Sequence, residues 1–164
     1  MARPVVLVTG GARRIGRVIA LNLAAAGWSV AVTYRHSLEE AQDTLRELRR
    51  SEGQAEALYV DLSDEAGCRA LVPEVVSQFG RIDAVVNNAS VFEYDNAESC
   101  GLSAMELHWK ANTAPAILLT QALYQHLQGT GRRGCVVNLL DQKLSNPNPE
   151  YFSYTLSKAA LEAA

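Results

Sequence analysis

A doubly wound α/β fold, a parallel sheet with helices on both faces, is what this 164-residue sequence predicts, on three observations. Short apolar runs rich in β-branched residues alternate with helix-length amphipathic stretches along the whole chain. The first run, Val5 to Val8, ends in a glycine-rich turn at Gly10 and Gly11 and passes into a helical pattern at Ile15, Val18, Ile19, Leu21 and Leu23. No linker, repeat or low-complexity tract interrupts the alternation, so one domain over residues 1–164 is expected. Strands joined by helices run parallel, and right-handed crossovers place the helices on both faces of the sheet.

The first unit reads as strand, phosphate loop and helix. Gly10 and Gly11 let the backbone turn tightly and approach a pyrophosphate, whose charge suits the unpaired N–H groups of the helix N-terminus. Gly16 allows close packing of helix on strand. Gly27 closes this unit. Residues 28–34 then read as the second strand, 37–52 as a charged helix ended by Gly53, and 55–60 as the third strand. Residues 64–79 read as helix, 82–86 as the fourth strand, 103–127 as one long helix and 135–140 as the fifth strand. Pro73 and Pro115 fall inside two of these helices, where a residue without an N–H is disfavoured. A last helix begins near Tyr151 and is still running at Ala164 with no capping residue, so a truncated chain with an open edge on its fifth strand is expected.

Hydrophobic residues at 48% and charged residues at 20% are values of a globular protein, and a net charge of −3 gives no electrostatic case for nucleic acid or an anionic membrane. Cys68, Cys100 and Cys135 are widely spaced singles without metal-ligand or redox spacing; they read as buried or idle thiols. His108 and His126 lack a partner at ligand spacing and read as surface residues, so no metal site is expected. With neither a leader-like apolar segment nor a run long enough to span a bilayer, the expected location is the cytoplasm.

Near the end of the sequence, Tyr154 and Lys158 are spaced i, i+4, which puts a phenol and an ammonium on one helix face. A nearby cation favours the phenolate and lowers a tyrosine pKa from about 10 toward neutrality, where the group exchanges protons with a carbonyl or imine. A plain helix face is the other reading of this spacing taken alone; the upstream phosphate loop argues against it.

Together these residues resemble the short-chain dehydrogenase/reductase family: T-G-x-x-x-x-I-G at 9–16, N-N-A at 87–89 and Y-x-x-x-K at 154–158. The resemblance covers nearly the whole chain and implies a Rossmann-type fold. It implies cofactor contacts from Gly10, Arg13, Arg14, Ile15 and Gly16, from Tyr34, Arg35, His36 and Ser37 after the second strand, from Asp61 and Leu62 after the third, from Asn88, Ala89 and Ser90 after the fourth, and from Tyr154 and Lys158. Asp61 is the family's adenine-contacting position or, alternatively, the cap of the following helix. The end of the second strand carries no carboxylate for a ribose diol, while Arg35 and Ser37 suit a 2′-phosphate, so NADPH is the expected cofactor. Asn112 matches the family's catalytic Asn, thought to hold a water that relays protons to the lysine. A homo-oligomer is implied, commonly a tetramer.

Two departures point to a substrate. The family usually has Gly at Arg14 and Ser at the position thirteen before the tyrosine, which here is Asp141. Asp141, Arg14 and the N-A-S-x-F segment 88–92 resemble the pteridine reductases and dihydromonapterin reductases. There Asp141, its pKa raised in a partly desolvated site, would assist protonation of a ring nitrogen, and Phe92 would cover one face of a pterin. Arg14, Ser90, Phe92, Asp141 and Tyr154 are thus the expected substrate contacts, with Tyr154, Lys158, Asp141 and Asn112 catalytic. Alternatives are Asp141 as a turn residue beside Ser145, Phe92 as core filler, a carbonyl reductase acting on 3-oxoacyl thioesters, and a cofactor-binding protein without turnover.

Overall fold

A computed structural model describes residues 3–164, with Met1 and Ala2 outside the described residues. Strands β1 (Val5–Val8), β2 (Ser29–Tyr34), β3 (Ala55–Tyr59), β4 (Ala84–Asn87) and β5 (Cys135–Asn138) pair in parallel, in the order β3-β2-β1-β4-β5. Helices α1 (Arg14–Ala25), α2 (Leu38–Leu48), α3 (Glu65–Phe79), α4 (Leu102–His108) and α5 (Ala114–Leu127) supply the crossovers, and α6 (Phe152–Ala163) follows β5. This is the doubly wound sheet that the alternation predicts.

β1 is buried along its whole length, and its alternate side chains face opposite layers. Val5 and Leu7 pack with Leu71, Val72 and Val75 of α3 and with Leu119 and Leu123 of α5. Val6 and Val8 pack with Ala20 and Ala24 of α1 and Leu48 of α2. Two apolar layers therefore hold the central strand from both sides. The chain first winds outward from β1 to β3, then returns to lay β4 on the other side of β1. Strand order reverses at that point, and open α/β sheets bind ligands beyond the carboxyl ends of the strands that flank such a reversal.

The helix expected over 103–127 is broken. α4 ends at His108, a π turn covers Trp109–Thr113, in which the Ala114 N–H donates to the Trp109 carbonyl, and α5 follows. The physical reason lies in Pro115: it has no N–H for the helical ladder, and it fits at the start of a new helix, where that donor has no partner to lose. α3, by contrast, runs through Pro73 without ending. No helix among the described residues is long and apolar enough to cross a membrane. The three thiols differ: Cys68 is buried, its pKa pushed up to about 11 by desolvation and then by Asp64, while Cys135 is exposed.

Candidate active site

The loop between β1 and α1 is stitched to the turn after β4. Thr9 Oγ1 accepts from the N–H groups of both Asn88 and Ala89 at 3.0 Å, and Asn88 Nδ2 donates to the carbonyls of Thr9 at 2.8 Å and Gly10 at 3.2 Å. Thr33 Oγ1 of β2 accepts from the Gly10 N–H at 3.0 Å. Gly10 has φ +63, in the left-handed region. A Cβ on Gly16 would lie 2.3 Å from the Gly10 carbonyl oxygen and 2.5 Å from Asn88 Nδ2, so only hydrogen fits there. Gly16 thus brings α1 against the loop backbone and the Asn88 side chain, more than against a strand. No side chain caps the α1 N-terminus, whose first N–H groups have no intrahelical partner.

Next to it Arg14 has φ +51. This left-handed conformation accounts for glycine as the usual residue at that position, and an L side chain holds it at a cost of about 1–2 kcal/mol.

A cleft of about 360 Å3 opens over this loop. Gly10, Arg13, Arg14, Ile15 and Gly16 line its phosphate-loop side; Tyr34, Arg35, His36 and Ser37 line the β2 end; Asp61 and Leu62 follow β3; Asn88, Ala89 and Ser90 follow β4. Thr33, Val60, Ser63, Val91 and Ala111 share the lining and carry no motif that would have marked them. Arg35 is ion-paired with Asp61 at 2.7 Å, and the Asp61 carboxylate also accepts from the Ser63 hydroxyl at 2.6 Å and N–H at 2.9 Å. The Ser63 hydroxyl is the main cause of the lowered Asp61 pKa. The helix after β3 is capped by Asp64, which accepts from Ala66 and Gly67, so the capping alternative for Asp61 falls away.

Beside this cleft, joined to it through Val91, stands a second group on α6. Tyr154 donates its hydroxyl proton to Asp141 Oδ2 at 2.7 Å. Asp141 also accepts from the Lys143 N–H at 2.9 Å as the cap of a short 3-10 turn, Gln142–Leu144, so the turn role and the contact with the phenol hold together. Lys158 Nζ donates to the Leu139 carbonyl at 2.8 Å and lies 5.8 Å from the centre of the Tyr154 ring.

These contacts reverse two expected pKa shifts. Tyr154 is pushed above the ordinary phenol value, first by burial and then by its hydrogen bond to the Asp141 carboxylate. The Lys158 cation does not offset this; its own pKa is lowered, because burial penalises the ammonium. Desolvation is the largest influence on Asp141 and acts upward, but the Lys143 N–H, the Tyr154 hydroxyl and the Lys143 and Lys158 charges outweigh it, leaving the carboxyl below its ordinary range. At neutral pH the pair is a carboxylate accepting from a protonated phenol.

Asn112 is buried in the π turn. Its Oδ1 accepts from the Val91 N–H at 2.7 Å, and its Nδ2 donates to the Val91 carbonyl at 3.0 Å and Ser157 Oγ at 2.9 Å. Phe92 is 53% exposed and is not core filler. Its ring stacks on Tyr151 with centroids 4.0 Å apart and meets Tyr154 edge-on at 4.6 Å, so part of the aromatic surface expected for a ligand is engaged by the protein itself.

The family model for the short chain dehydrogenases matches residues 4–164. The chain belongs to the short chain dehydrogenase family. Among its curated relatives, hydroxynaphthalene reductase arp2 of Aspergillus fumigatus is 35% identical over 158 residues, covering 96% of this chain and 57% of the relative. The 3-oxoacyl-[acyl-carrier-protein] reductase FabG of Staphylococcus aureus is 32% identical over 160 residues, with 94% and 63% covered. Among solved structures, FolM alternative dihydrofolate reductase 1 from Brucella canis, complexed with NADP, matches with TM-score 0.92 and 36% identity over 99% of this chain and 66% of that one. The chain therefore spans between about half and two thirds of the length of these relatives.

In this short chain dehydrogenase the motif residues are held by others that no motif announces. His108, expected on the surface, is 1% exposed: its Nδ1 is 2.8 Å from the Ala104 carbonyl, its Nε2 accepts from the Glu93 N–H at 3.2 Å, and its ring lies edge-on to Tyr154. The tautomer with the proton on Nδ1 satisfies both bonds. His108 is the last residue of α4, immediately before the π turn, and faces inward without any motif to mark it. Asn87 Nδ2 donates to Asn138 Oδ1 across the β4–β5 pairing at 2.8 Å, fixing the two strand ends that present the turn after β4 and the segment leading to Asp141.

Proposed function

We propose that this chain carries the cofactor cleft and catalytic group of an NADPH-dependent reductase acting on a pterin-like C=N bond of the dihydropteridine, dihydrofolate or dihydromonapterin type. The observation that carries the substrate reading is the Tyr154 hydroxyl donating to a carboxylate, Asp141, where the family usually has a serine. The identity shared with FolM alternative dihydrofolate reductase 1 supports it.

The cleft fits a phosphorylated dinucleotide. The uncapped N-terminus of α1 and the side-chain-free approach at Gly16 suit a pyrophosphate. Arg35 lies at the end of β2, where a 2′-phosphate is read, though Asp61 must share it. NADPH supplies the hydride. Reduction of C=N then needs a proton at nitrogen. Tyr154 is the donor, and Asp141, bonded to the same phenol, supplies the acceptor that orients an N–H edge and passes the next proton inward. Lys158, tied to Leu139, holds its charge 5.8 Å from the centre of the Tyr154 ring and would hold the nicotinamide ribose. Asn112 locks Val91 and thereby the wall that carries Ser90 and Phe92; Arg14 lines the same cleft on its phosphate-loop side.

The experiment measures NADPH oxidation with dihydrobiopterin, dihydrofolate and dihydromonapterin against an acetoacetyl thioester, in the longest chain that carries this sequence. Preference for the dihydropterins is expected; preference for the thioester gives the site to the carbonyl-reductase reading, which the likeness to FabG favours. Binding without turnover of either would leave a cofactor-binding protein. Cofactor choice is a separate expectation: Arg35 and Arg14 favour NADPH over NADH by about 1–3 kcal/mol, the range of charge-assisted hydrogen bonds to a phosphate. Titration of the two nucleotides by fluorescence reads this, and equal dissociation constants refute it.

A further inference from the structure

We propose that Asp95 is a positioning residue for this reaction: by capping α6 from the loop after β4, it sets the Tyr154 hydroxyl against Asp141. The inference rests on the reading of Tyr154 as proton donor.

The start of α6 is poorly specified by its own residues. Tyr151 stands at the N-cap with φ 55 and ψ 48, in the left-handed region, and no side chain there accepts from the first turn. An α-helix leaves its first N–H groups without intrahelical partners, and a short polar side chain at the N-cap normally takes one. Here a residue 58 positions from Ser153 takes several. The Asp95 main-chain carbonyl accepts from the N–H of Tyr151 at 2.7 Å and of Phe152 at 3.4 Å. Its carboxylate accepts from the Ser153 N–H, at 3.0 Å to Oδ1 and 3.3 Å to Oδ2, and from the Ser153 hydroxyl. Asp95 is 5% exposed, and a carboxylate is buried at high cost unless donors surround it. The helix N-terminus provides them, together with the positive end of its dipole.

Geometry links this cap to the chemistry. Phe152, Ser153 and Tyr154 form the first turn of α6, so the atoms that Asp95 fixes are those from which the phenol projects. Asp141 belongs to a separate segment after β5, and the 2.7 Å contact between the two side chains requires that turn to be held in place. The loop bearing Asp95 is itself anchored. Asn112 holds Val91, His108 holds the Glu93 N–H, and Asn96 forms an isolated antiparallel bridge with Glu150, next to Tyr151. Between these anchors Phe92 rests on Tyr151 and Tyr154. The cap thus joins the wall expected to meet the substrate to the helix that carries the proton donor.

The test compares Asp95→Ala, Asp95→Asn and Ser153→Ala in the longest chain that carries this sequence. In Asp95→Ala, kcat for a dihydropterin should fall about three- to thirtyfold, the size of a lost N-cap expressed in the transition state, with the NADPH dissociation constant within about twofold of the parent. Asp95→Asn keeps an oxygen that accepts from the Ser153 N–H and should recover most of the rate. The second readout needs no substrate: ring-labelled tyrosine NMR, with the Tyr154 signal assigned by its loss in Tyr154→Phe. The groups facing that phenol are Asp141, Lys158 and the His108 ring. Removing the cap loosens the contact with Asp141, so Tyr154 should titrate closer to the ordinary phenol value of about 10. A less stable Asp95→Ala with unchanged kcat and unchanged Tyr154 titration would overturn the proposal and leave Asp95 a purely structural cap. Should Asp95→Ala not fold, Ser153→Ala, which removes only the hydroxyl donor, carries the same two readouts; no change in either overturns it. A parent that prefers the oxoacyl thioester defeats the pterin reading while the tyrosine titration still decides the role of Asp95.

Discussion

Tyr154→Phe is expected to abolish most turnover and to leave NADPH binding nearly intact. A positioned acid–base group contributes about 10²–10⁴-fold, and the phenol, as the proposed proton donor, would act in the transition state and not on the ground-state cofactor. Phenylalanine keeps the ring that meets Phe92 at 4.6 Å and His108 at 6.2 Å, so the packing of the first turn of α6 survives. What is lost is the hydroxyl that donates to Asp141. Steady-state kinetics with a dihydropterin, set beside fluorescence titration of NADPH, separate the two effects. A loss of cofactor affinity comparable to the loss of rate would mean that the tyrosine is part of the scaffold and not of the chemistry.

The second large effect belongs to Asp141→Ser, which restores the residue usual in the family. Turnover of a dihydropterin should fall by about 10²–10⁴-fold, while reduction of a simple ketone should be spared, since a serine hydroxyl suits a ketone oxygen. The pH profile gives an independent check. The Asp141 carboxylate helps to hold the Tyr154 pKa above the ordinary phenol value, so its removal lets the phenol ionise at lower pH and moves any alkaline limb of the rate profile in the acid direction. The sign for stability follows from the same shifts. Asp141 has a lowered folded pKa and contributes stability at pH above its unfolded value of about 3.9; that contribution is lost as pH falls through the folded value. Tyr154 has a raised one, so its share is fully present below about pH 10 and is lost as pH rises through the folded value. Unchanged pterin turnover in Asp141→Ser would end the pterin assignment.

Local chemistry made much of this molecule readable. Val5 to Val8 announce a buried strand through β-branching and length, Gly10 and Gly16 announce a close backbone approach, and the spacing of Tyr154 and Lys158 places both on one helix face. Where the sequence misled, the determining contact came from far along the chain or from a break in periodicity. Lys158 is a sequence neighbour of Tyr154, so a cation effect on the phenol was the natural expectation; folding instead ties the ammonium to Leu139 and brings a carboxylate to 2.7 Å. His108 reads as a helix-surface residue while 103–127 is a single helix, and Asn112 is marked only by its match to the family motif. The first ends α4, the second lies in the π turn ahead of Pro115, and both are buried. Asp95 had no local signal at all, because its partners are the backbone N–H groups of a helix whose own start carries no cap.

Arg14 has a consequence for how this protein can be altered. Its left-handed backbone is one that glycine adopts freely, so the guanidinium is kept at the mouth of the cleft against the conformational preference of the chain. A laboratory selection for heat resistance alone would favour exchanging that arginine for glycine and would be blind to the loss of the charge. Engineering that pursues robustness at this corner therefore removes the cation proposed to meet the ligand, and the two traits have to be screened together.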